Sequence, residues 1–218
     1  MEGYRGFPPG KVESASVSAL GPGMGDAAPP LPPEEVVVAG FGGQGVLTGG
    51  ILLAQAGMMQ GLHVSWVPAY GAEQRGGTAY SAVVLSRRPV VSPLVFAPTA
   101  VLAMNRPSFD RFVPKVREGG IVLYNASIVE LPPDVRSNLE VKLGRLLGIP
   151  ATSLAEEIGD ARVAVNVLVG AYAALTGVVD LAYLKLALRE VLPPHRHRLI
   201  PANERALETG FEAVRSAV

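Results

Sequence analysis

The sequence predicts an α/β domain in three layers, with a mostly parallel sheet and a group of helices at its C-terminal end. A short β-branched run at residues 35–39 precedes a glycine-rich turn and about fifteen residues of helical character that end at Met59. Further short apolar runs alternate with helical segments, and beyond residue 153 the pattern becomes that of consecutive helices. This alternation is typical of a sheet that is covered by helices on both faces.

The remaining elements follow in chain order. We expect further strands at residues 63–67, 79–85, 90–95, 99–104, 120–124 and 139–143. A short helix is expected at 108–116, and the C-terminal helices at 160–176, 180–191 and 202–214. Residues 1–33 are rich in Pro, Gly, Ser and Ala and would bury little apolar surface, so we expect a flexible arm there and a single domain over residues 34–218.

The composition excludes several classes of function. Nineteen basic residues balance nineteen acidic ones, so nothing general favours nucleic acid or an anionic membrane surface as a partner. The sequence has no apolar run long enough to span a bilayer and no secretory signal, which favours a cytoplasmic protein. Because the chain has no cysteine, it cannot hold a cysteine-ligated iron–sulfur cluster or use a thiol nucleophile. We predict no metal site; His195 and His197 are expected in a solvated loop.

A glycine-rich turn follows the first strand and has the spacing of a dinucleotide fingerprint. Its candidate ligand-binding residues are Gly40, Gly42, Gly43, Gln44 and Gly45. The glycines would permit a tight turn and close helix packing, or let the backbone approach an anionic or phosphate-bearing ligand at the helix start. An NAD site also needs an acidic residue at the end of the second strand, and residues 64–70 contain none. The resulting fold is Rossmann-like, with its ligand left open.

A second loop, at residues 70–78, is longer than a usual connection. It is either a plain connection with an exposed Glu73–Arg75 ion pair, or a loop that presents Arg75 to a ligand or to another subunit. If it opens at the carboxyl edge of the sheet, it lies beside the glycine turn and the end of a later strand. The candidate residues are Tyr70, Gly71, Glu73, Arg75, Gly76, Gly77, Thr78 and Asn105.

Within the chain no catalytic triad, carboxylate pair or metal cluster is recognisable, so the sequence predicts a protein that assists chemistry performed elsewhere. At residues 39–45, 70–78, 92–93 and 103–105 the chain resembles the gamma subunit of 2-oxoacid:ferredoxin oxidoreductases. The residues of these motifs are most similar to those of the 2-oxoglutarate branch. The resemblance extends from about residue 35 to the C-terminus and does not include the N-terminal arm.

The resemblance implies an assembly that converts a 2-oxoacid, coenzyme A and oxidised ferredoxin to acyl-CoA, carbon dioxide and reduced ferredoxin. It places thiamine diphosphate, Mg and iron–sulfur clusters in alpha, beta and ferredoxin-like partners, with no cofactor on this chain alone and no catalytic residue in it. We also expect the loops at residues 40–45 and 70–78 to contact coenzyme A. The isolated chain could form a homodimer. The alternatives are an NAD-linked dehydrogenase and a stand-alone nucleotide-binding module.

Overall fold

The computed structural model describes residues 32–71 and 78–215, and its centre is a six-stranded sheet. The strands stand in the order β2-β3-β1-β4-β5-β6. Strand β3 runs antiparallel to both of its neighbours, and the other five strands all run in one direction. The mostly parallel sheet is therefore confirmed. The bounds are Glu34–Phe41 (β1), His63–Tyr70 (β2), Thr78–Ser86 (β3), Ala100–Ala103 (β4), Ile121–Asn125 (β5) and Arg145–Ile149 (β6).

Helices cover both faces of the sheet, so the three-layer prediction is confirmed. Helices α1 and α4–α7 pack on one face around the larger apolar core. Helices α2 and α3 lie on the other face, over a smaller core. The bounds are Val46–Met59 (α1), Arg106–Phe112 (α2), Pro133–Lys142 (α3), Ala151–Ile158 (α4), Ala164–Thr176 (α5), Leu181–Val191 (α6) and Ile200–Arg215 (α7). The described part of the chain also forms three 3-10 turns, at Val113–Lys115, Ala161–Val163 and Pro194–Leu199.

Two of the predicted strands were wrong. Residues 90–95 form irregular backbone, because Pro89 and Pro93 remove ladder donors and the Ser92 hydroxyl accepts from the Leu94 N–H at 3.2 Å, which turns the chain. Residues 139–143 fall largely in α3, which carries an Arg136–Glu140 pair at 2.9 Å one turn apart. The last strand is β6, and it and helix α4 were not predicted.

The larger core closes where α5 crosses α7, through two glycines. A Cβ atom at Gly170 would lie 2.0 Å from the carbonyl oxygen of Leu207, and one at Gly210 would lie 1.8 Å from that of Val167. Neither position has room for a side chain, so the backbones of the two helices touch. Among the described residues, no helix is both long enough and apolar enough to cross a membrane.

Candidate functional site

The two predicted loops meet at one edge of the sheet, as the sequence indicated. Strands β1, β2 and β4 end at this edge, and β3 begins there. Thr78 lies opposite Phe41, and Ala79 lies between Gly40 on one side and Tyr70 on the other. The loop lies between two strands, as predicted, and these two strands, β2 and β3, pair as an antiparallel hairpin. In open α/β sheets the carboxyl edge is where ligands gather.

The four glycines of the first loop serve different purposes. A Cβ at Gly40 would lie 2.8 Å from both the Gln44 Oε1 and the Val46 Cγ1, so close packing requires glycine there. Gly43 and Gly45 have φ angles of 95° and 75°, the left-handed region that glycine adopts freely. Gly42 has neither constraint: a Cβ there would meet nothing within 4 Å. Packing therefore explains Gly40, and backbone conformation explains Gly43 and Gly45, but neither explains Gly42.

Gln44 and Asn105 fasten the glycine loop to the end of β4. The Oε1 of Gln44 accepts hydrogen bonds from the Phe41 N–H and from the Asn105 Nδ2, each at 2.7 Å. Asn105 is buried, and its Oδ1 accepts from the Ser108 N–H at 2.9 Å, which caps helix α2. The two amides thus hold the loop, the strand end and the helix start in one arrangement. In this structure both side chains hold the backbone at the carboxyl edge of the sheet in place.

The ends of the second loop are also fixed. The Gly71 N–H donates to the Thr78 carbonyl oxygen at 2.7 Å, which closes the hairpin at its base. Arg111 donates to the Thr78 hydroxyl at 3.1 Å and lies over the rings of Tyr80 and Phe112. Tyr70 is 75% exposed. The predicted residues Glu73, Arg75, Gly76 and Gly77 lie outside the described residues, so their roles stay predictions.

A cleft with a volume of about 660 Å³ opens beside the glycine loop, on the side of the larger core. We call it the glycine-loop cleft. Its walls are the glycine loop with the first turn of α1, the first turn of α5, and the Pro194–Leu199 turn. The charged and polar residues that line it are Thr48, Asp160, Arg162, Asn166, His195, Arg196, Arg198 and Asn203. Apart from the glycine loop and Tyr70, these lining residues were not predicted as site residues from the sequence.

The charges in the cleft do not cancel. Arg162 pairs with Asp160 through two hydrogen bonds, of 2.8 and 2.7 Å, and these lower the pKa of the Asp160 carboxyl. Arg196 and Arg198 line the same cleft with no further acidic residue in the lining. The signal for this was the alternation of two histidines and two arginines at residues 195–198, which was expected to form a solvated loop. The Nε2 of His197 instead lies 2.8 Å from the Leu192 carbonyl oxygen, where it helps to hold the turn.

Comparison with known proteins gives matches to oxidoreductase subunits. Residues 35–213 match the family model described as pyruvate ferredoxin/flavodoxin oxidoreductase. Subunit VorA of ketoisovalerate oxidoreductase from Methanothermobacter thermautotrophicus is 39% identical over 87% of this chain, which spans only 38% of that relative's length. Subunit KorC of 2-oxoglutarate synthase from the same organism is 34% identical over 74% of this chain and 86% of its own length.

A solved structure gives the same result at the level of the fold. The gamma subunit of a keto/oxoacid ferredoxin oxidoreductase from Geobacter sulfurreducens superposes with a TM-score of 0.69 at 27% identity. The match covers 84% of this chain and 99% of that subunit. The domain thus occurs both as a separate chain and as about two-fifths of a longer subunit.

Proposed function

Because the chain belongs to the pyruvate ferredoxin/flavodoxin oxidoreductase family, we propose that it is the gamma subunit of a thiamine-diphosphate-dependent 2-oxoacid:ferredoxin oxidoreductase. The observation that supports this most directly is its likeness to relatives that are themselves separate subunits, over 86% of KorC and 99% of the Geobacter gamma subunit. In the proposed assembly a 2-oxoacid is decarboxylated and oxidised to acyl-CoA, and ferredoxin receives the electrons.

The residues of the chain support a division of labour between this subunit and its proposed partners. Without cysteine the chain has no ligands for a cysteine-bound iron–sulfur cluster. Among the described residues, no group of three or more histidine and acidic side chains is placed to hold a metal ion. In the proposed assembly, the alpha, beta and ferredoxin-like partners carry the thiamine diphosphate, Mg and clusters. This chain would shape the coenzyme A entrance and the subunit contacts, and ferredoxin would dock elsewhere on the assembly.

We further propose 2-oxoglutarate as the 2-oxoacid, because the sequence of the 70–78 loop is most similar to the 2-oxoglutarate branch of the family. The relatives include both ketoisovalerate and 2-oxoglutarate subunits, so the substrate must be measured. Purified alpha, beta and gamma subunits, with ferredoxin or a viologen as acceptor, would be given 2-oxoglutarate, pyruvate or 2-oxoisovalerate at equal concentration. The largest kcat/KM is expected for 2-oxoglutarate. A larger kcat/KM for 2-oxoisovalerate would show that 2-oxoglutarate is not the preferred substrate, and the proposal that the chain is a gamma subunit would stand.

The surface that would face the partners is the α2 side of the sheet. Residues 87–98, which we call the 87–98 segment, cross from β3 to β4 with Val95 packed into the smaller core. Val91, Leu94 and Phe96 are 99%, 57% and 79% exposed. Burial would recover about 1.5–3 kcal/mol for each such side chain. In VorA the matched region adjoins further polypeptide of the same subunit, and the proposed occupant here is the corresponding alpha-type partner.

Arg75 is the residue of the second loop that we expect to contact coenzyme A or a partner carboxylate. A lost charge-assisted contact costs about 1.5–3 kcal/mol, which is a roughly ten- to hundredfold loss of affinity. Arg75→Ala in the reconstituted enzyme should therefore raise the KM for coenzyme A or weaken assembly by that factor. Arg189→Ala, which removes an exposed arginine from α6, is the control. Equal behaviour of the two variants would reduce the loop to a connection.

The two alternatives make different predictions. In an NAD-linked dehydrogenase the strand next to β1 would carry its carboxyl end, with an acidic residue, to the ligand edge. Here one neighbour, β3, is antiparallel and ends at the opposite edge, and the other, β4, is parallel but is followed by Met104 and Asn105 and not by an acidic residue. Calorimetric titration with NAD is expected to show weak binding or none, and a low-micromolar dissociation constant would revive the dehydrogenase. A stand-alone module would show no stimulation of alpha and beta subunits in the reconstitution.

A further inference from the structure

The 87–98 segment adjoins the C-terminal end of α2. Val95 of this segment packs into the smaller core together with the buried ring of Phe112. Just beyond α2, the Arg117 N–H donates to the Pro98 carbonyl oxygen at 3.1 Å and ties the two stretches of chain together. The residues on either side of Val95 therefore lie close to the end of α2. We call the surface that the two stretches form the cationic patch, and its exposed residues include Arg87, Arg88, Leu94, Phe96, Arg111 and Lys115.

Two cations of the patch lie on aromatic rings. The Arg111 guanidinium lies 5.5 Å from the centre of the Tyr80 ring, and the Lys115 Nζ lies 5.6 Å from the centre of the Phe112 ring. Neither cation forms an ion pair with an acidic residue in the part of the chain that the structure describes. The rings restrict the two side chains and leave their charges free to bind a carboxylate.

The rest of the patch adds positive charge and apolar surface. The 87–98 segment contains Arg87 and Arg88 and no acidic residue. Within α2 the acidic side chain is Asp110, which Arg106 holds at 2.8 Å. Because the whole chain has equal numbers of acidic and basic residues, the surplus of positive charge is local to the patch. Exposed apolar side chains beside unpaired cations are the pattern of an interface whose partner is acidic.

We propose that the cationic patch binds an acidic segment of the partner subunit that is proposed above to cover this face. Carboxylates of that segment lie against Arg111 and Lys115, and one of its apolar side chains packs on Leu94 and Phe96. The inference rests on the proposed function and adds the chemistry by which the partner is recognised. An anionic membrane or a nucleic acid is a poorer match, because the balanced total charge provides no long-range attraction to either.

Four single variants of the full-length chain test the affinity for the purified alpha–beta core by calorimetric titration. Lys115→Glu reverses a charge of the patch and Phe96→Ser removes an apolar contact, and each should weaken binding at least tenfold. Arg189→Glu and Leu186→Ser make the same kinds of change at exposed positions of α6, and each should alter binding less than twofold. Wild-type binding should weaken as the salt concentration rises, and Lys115→Glu should lose part of that dependence.

Cross-linking identifies the group that faces Lys115. A carbodiimide joins an amine to a carboxylate only where the two are in contact. In the assembled enzyme, the Lys115 amine is expected to couple to an Asp or Glu of the partner subunit, as read by mass spectrometry. Lys115→Arg keeps the charge and has no amine, so it should bind within twofold of wild type and lose this cross-link. Coupling of Lys115 to a second copy of the chain would overturn the proposal.

Failure of the patch and failure of the proposed function are distinguishable. An active assembly that binds Lys115→Glu and Phe96→Ser as tightly as wild type refutes the patch alone. A chain that neither joins nor stimulates the alpha and beta subunits refutes the subunit, and the patch with it. Binding of the free chain to anionic vesicles or to single-stranded DNA, with loss of that binding in Lys115→Glu, would assign the patch to another partner and overturn the proposal.

Discussion

The two faces of the sheet differ in how completely the chain covers them. On one face, five helices enclose a core whose largest fully buried side chains include Tyr172, Leu52 and Leu168. On the other face, α2 and α3 cover less, α3 has no buried residue, and the 87–98 segment presents Val91, Leu94 and Phe96 to solvent. The first face, which we call the finished face, is covered by helices of the domain itself. The second keeps apolar side chains exposed, and it is the face proposed above to contact a partner subunit.

The largest expected effect is on the finished face. Gly210→Ala places a Cβ where the Val167 carbonyl oxygen lies, so α5 and α7 must separate. Overpacking of this kind costs about 3 kcal/mol or more, far above the gain of up to about 1 kcal/mol from better helix propensity. Urea unfolding measures the difference. Gly42→Ala, whose Cβ meets nothing, is the control and should be near neutral. A Gly210→Ala protein as stable as wild type would mean that the two helices are not in backbone contact.

A smaller effect is expected where the two faces join, at the Gln44–Asn105 contact. Asn105→Ala removes the cap of α2 and the donor to Gln44, and should lower the free energy of unfolding by about 1–3 kcal/mol. Asn105→Asp separates the two roles, because a carboxylate still accepts from the Ser108 N–H but has no N–H to donate. A loss confined to Asn105→Ala would assign the effect to the cap. Equal losses in both variants would assign it to the Gln44 contact.

The Asp160–Arg162 pair should give a weaker, pH-dependent effect on the finished face. Arg162 lowers the pKa of Asp160 in the folded protein. Such a carboxylate stabilises the fold above its unfolded pKa of about 3.9, and the contribution is lost as the pH falls through the lower folded value. The Arg162 side chain is 74% exposed, which limits the size of the effect. In acid, the stability of wild type should fall more steeply than that of Asp160→Asn. Parallel curves for the two proteins would show that the pair does not stabilise the fold.

The smallest effect is expected from removal of residues 1–33. Their composition offers few groups for a core, so the thermal midpoint of the shortened chain should match that of the full chain. Differential scanning calorimetry of the two proteins makes the comparison. A large drop would show that the segment contributes to the folded domain, and the predicted boundary at residue 34 would be wrong.

The elements that the sequence predicted well are those whose signal is local. Residues 36–39 before the glycine loop and residues 164–173 of α5 are buried, so the patterns of these two segments are strong. Residues 139–143 alternate like a strand, yet Pro133 at the helix start and the Arg136–Glu140 pair favour α3. Strand β6 is short and has two exposed positions, which makes its pattern weak.

The candidate site shows the same division. The meeting of the 40–45 and 70–78 loops was predictable, because parallel strands bring their carboxyl ends to one edge. The cleft was not, since Arg162, Asn166 and Arg196 lie more than a hundred residues from the glycine loop and meet it only through the packing of α5 and α7. Asn203, whose Oδ1 accepts from the Asn166 Nδ2 at 2.6 Å, lies in the helix predicted at 202–214, and that prediction did not place it in a cleft.

Hydrogen–deuterium exchange tests the difference between the faces most directly. Amide exchange would be measured by mass spectrometry in the free chain and in the chain assembled with its alpha and beta subunits. The account predicts that assembly slows exchange in the 87–98 segment and in the 70–78 loop, while α5 and α7 keep the rates of the free chain. Slowed exchange confined to α5 and α7, with an unchanged 87–98 segment, would contradict it.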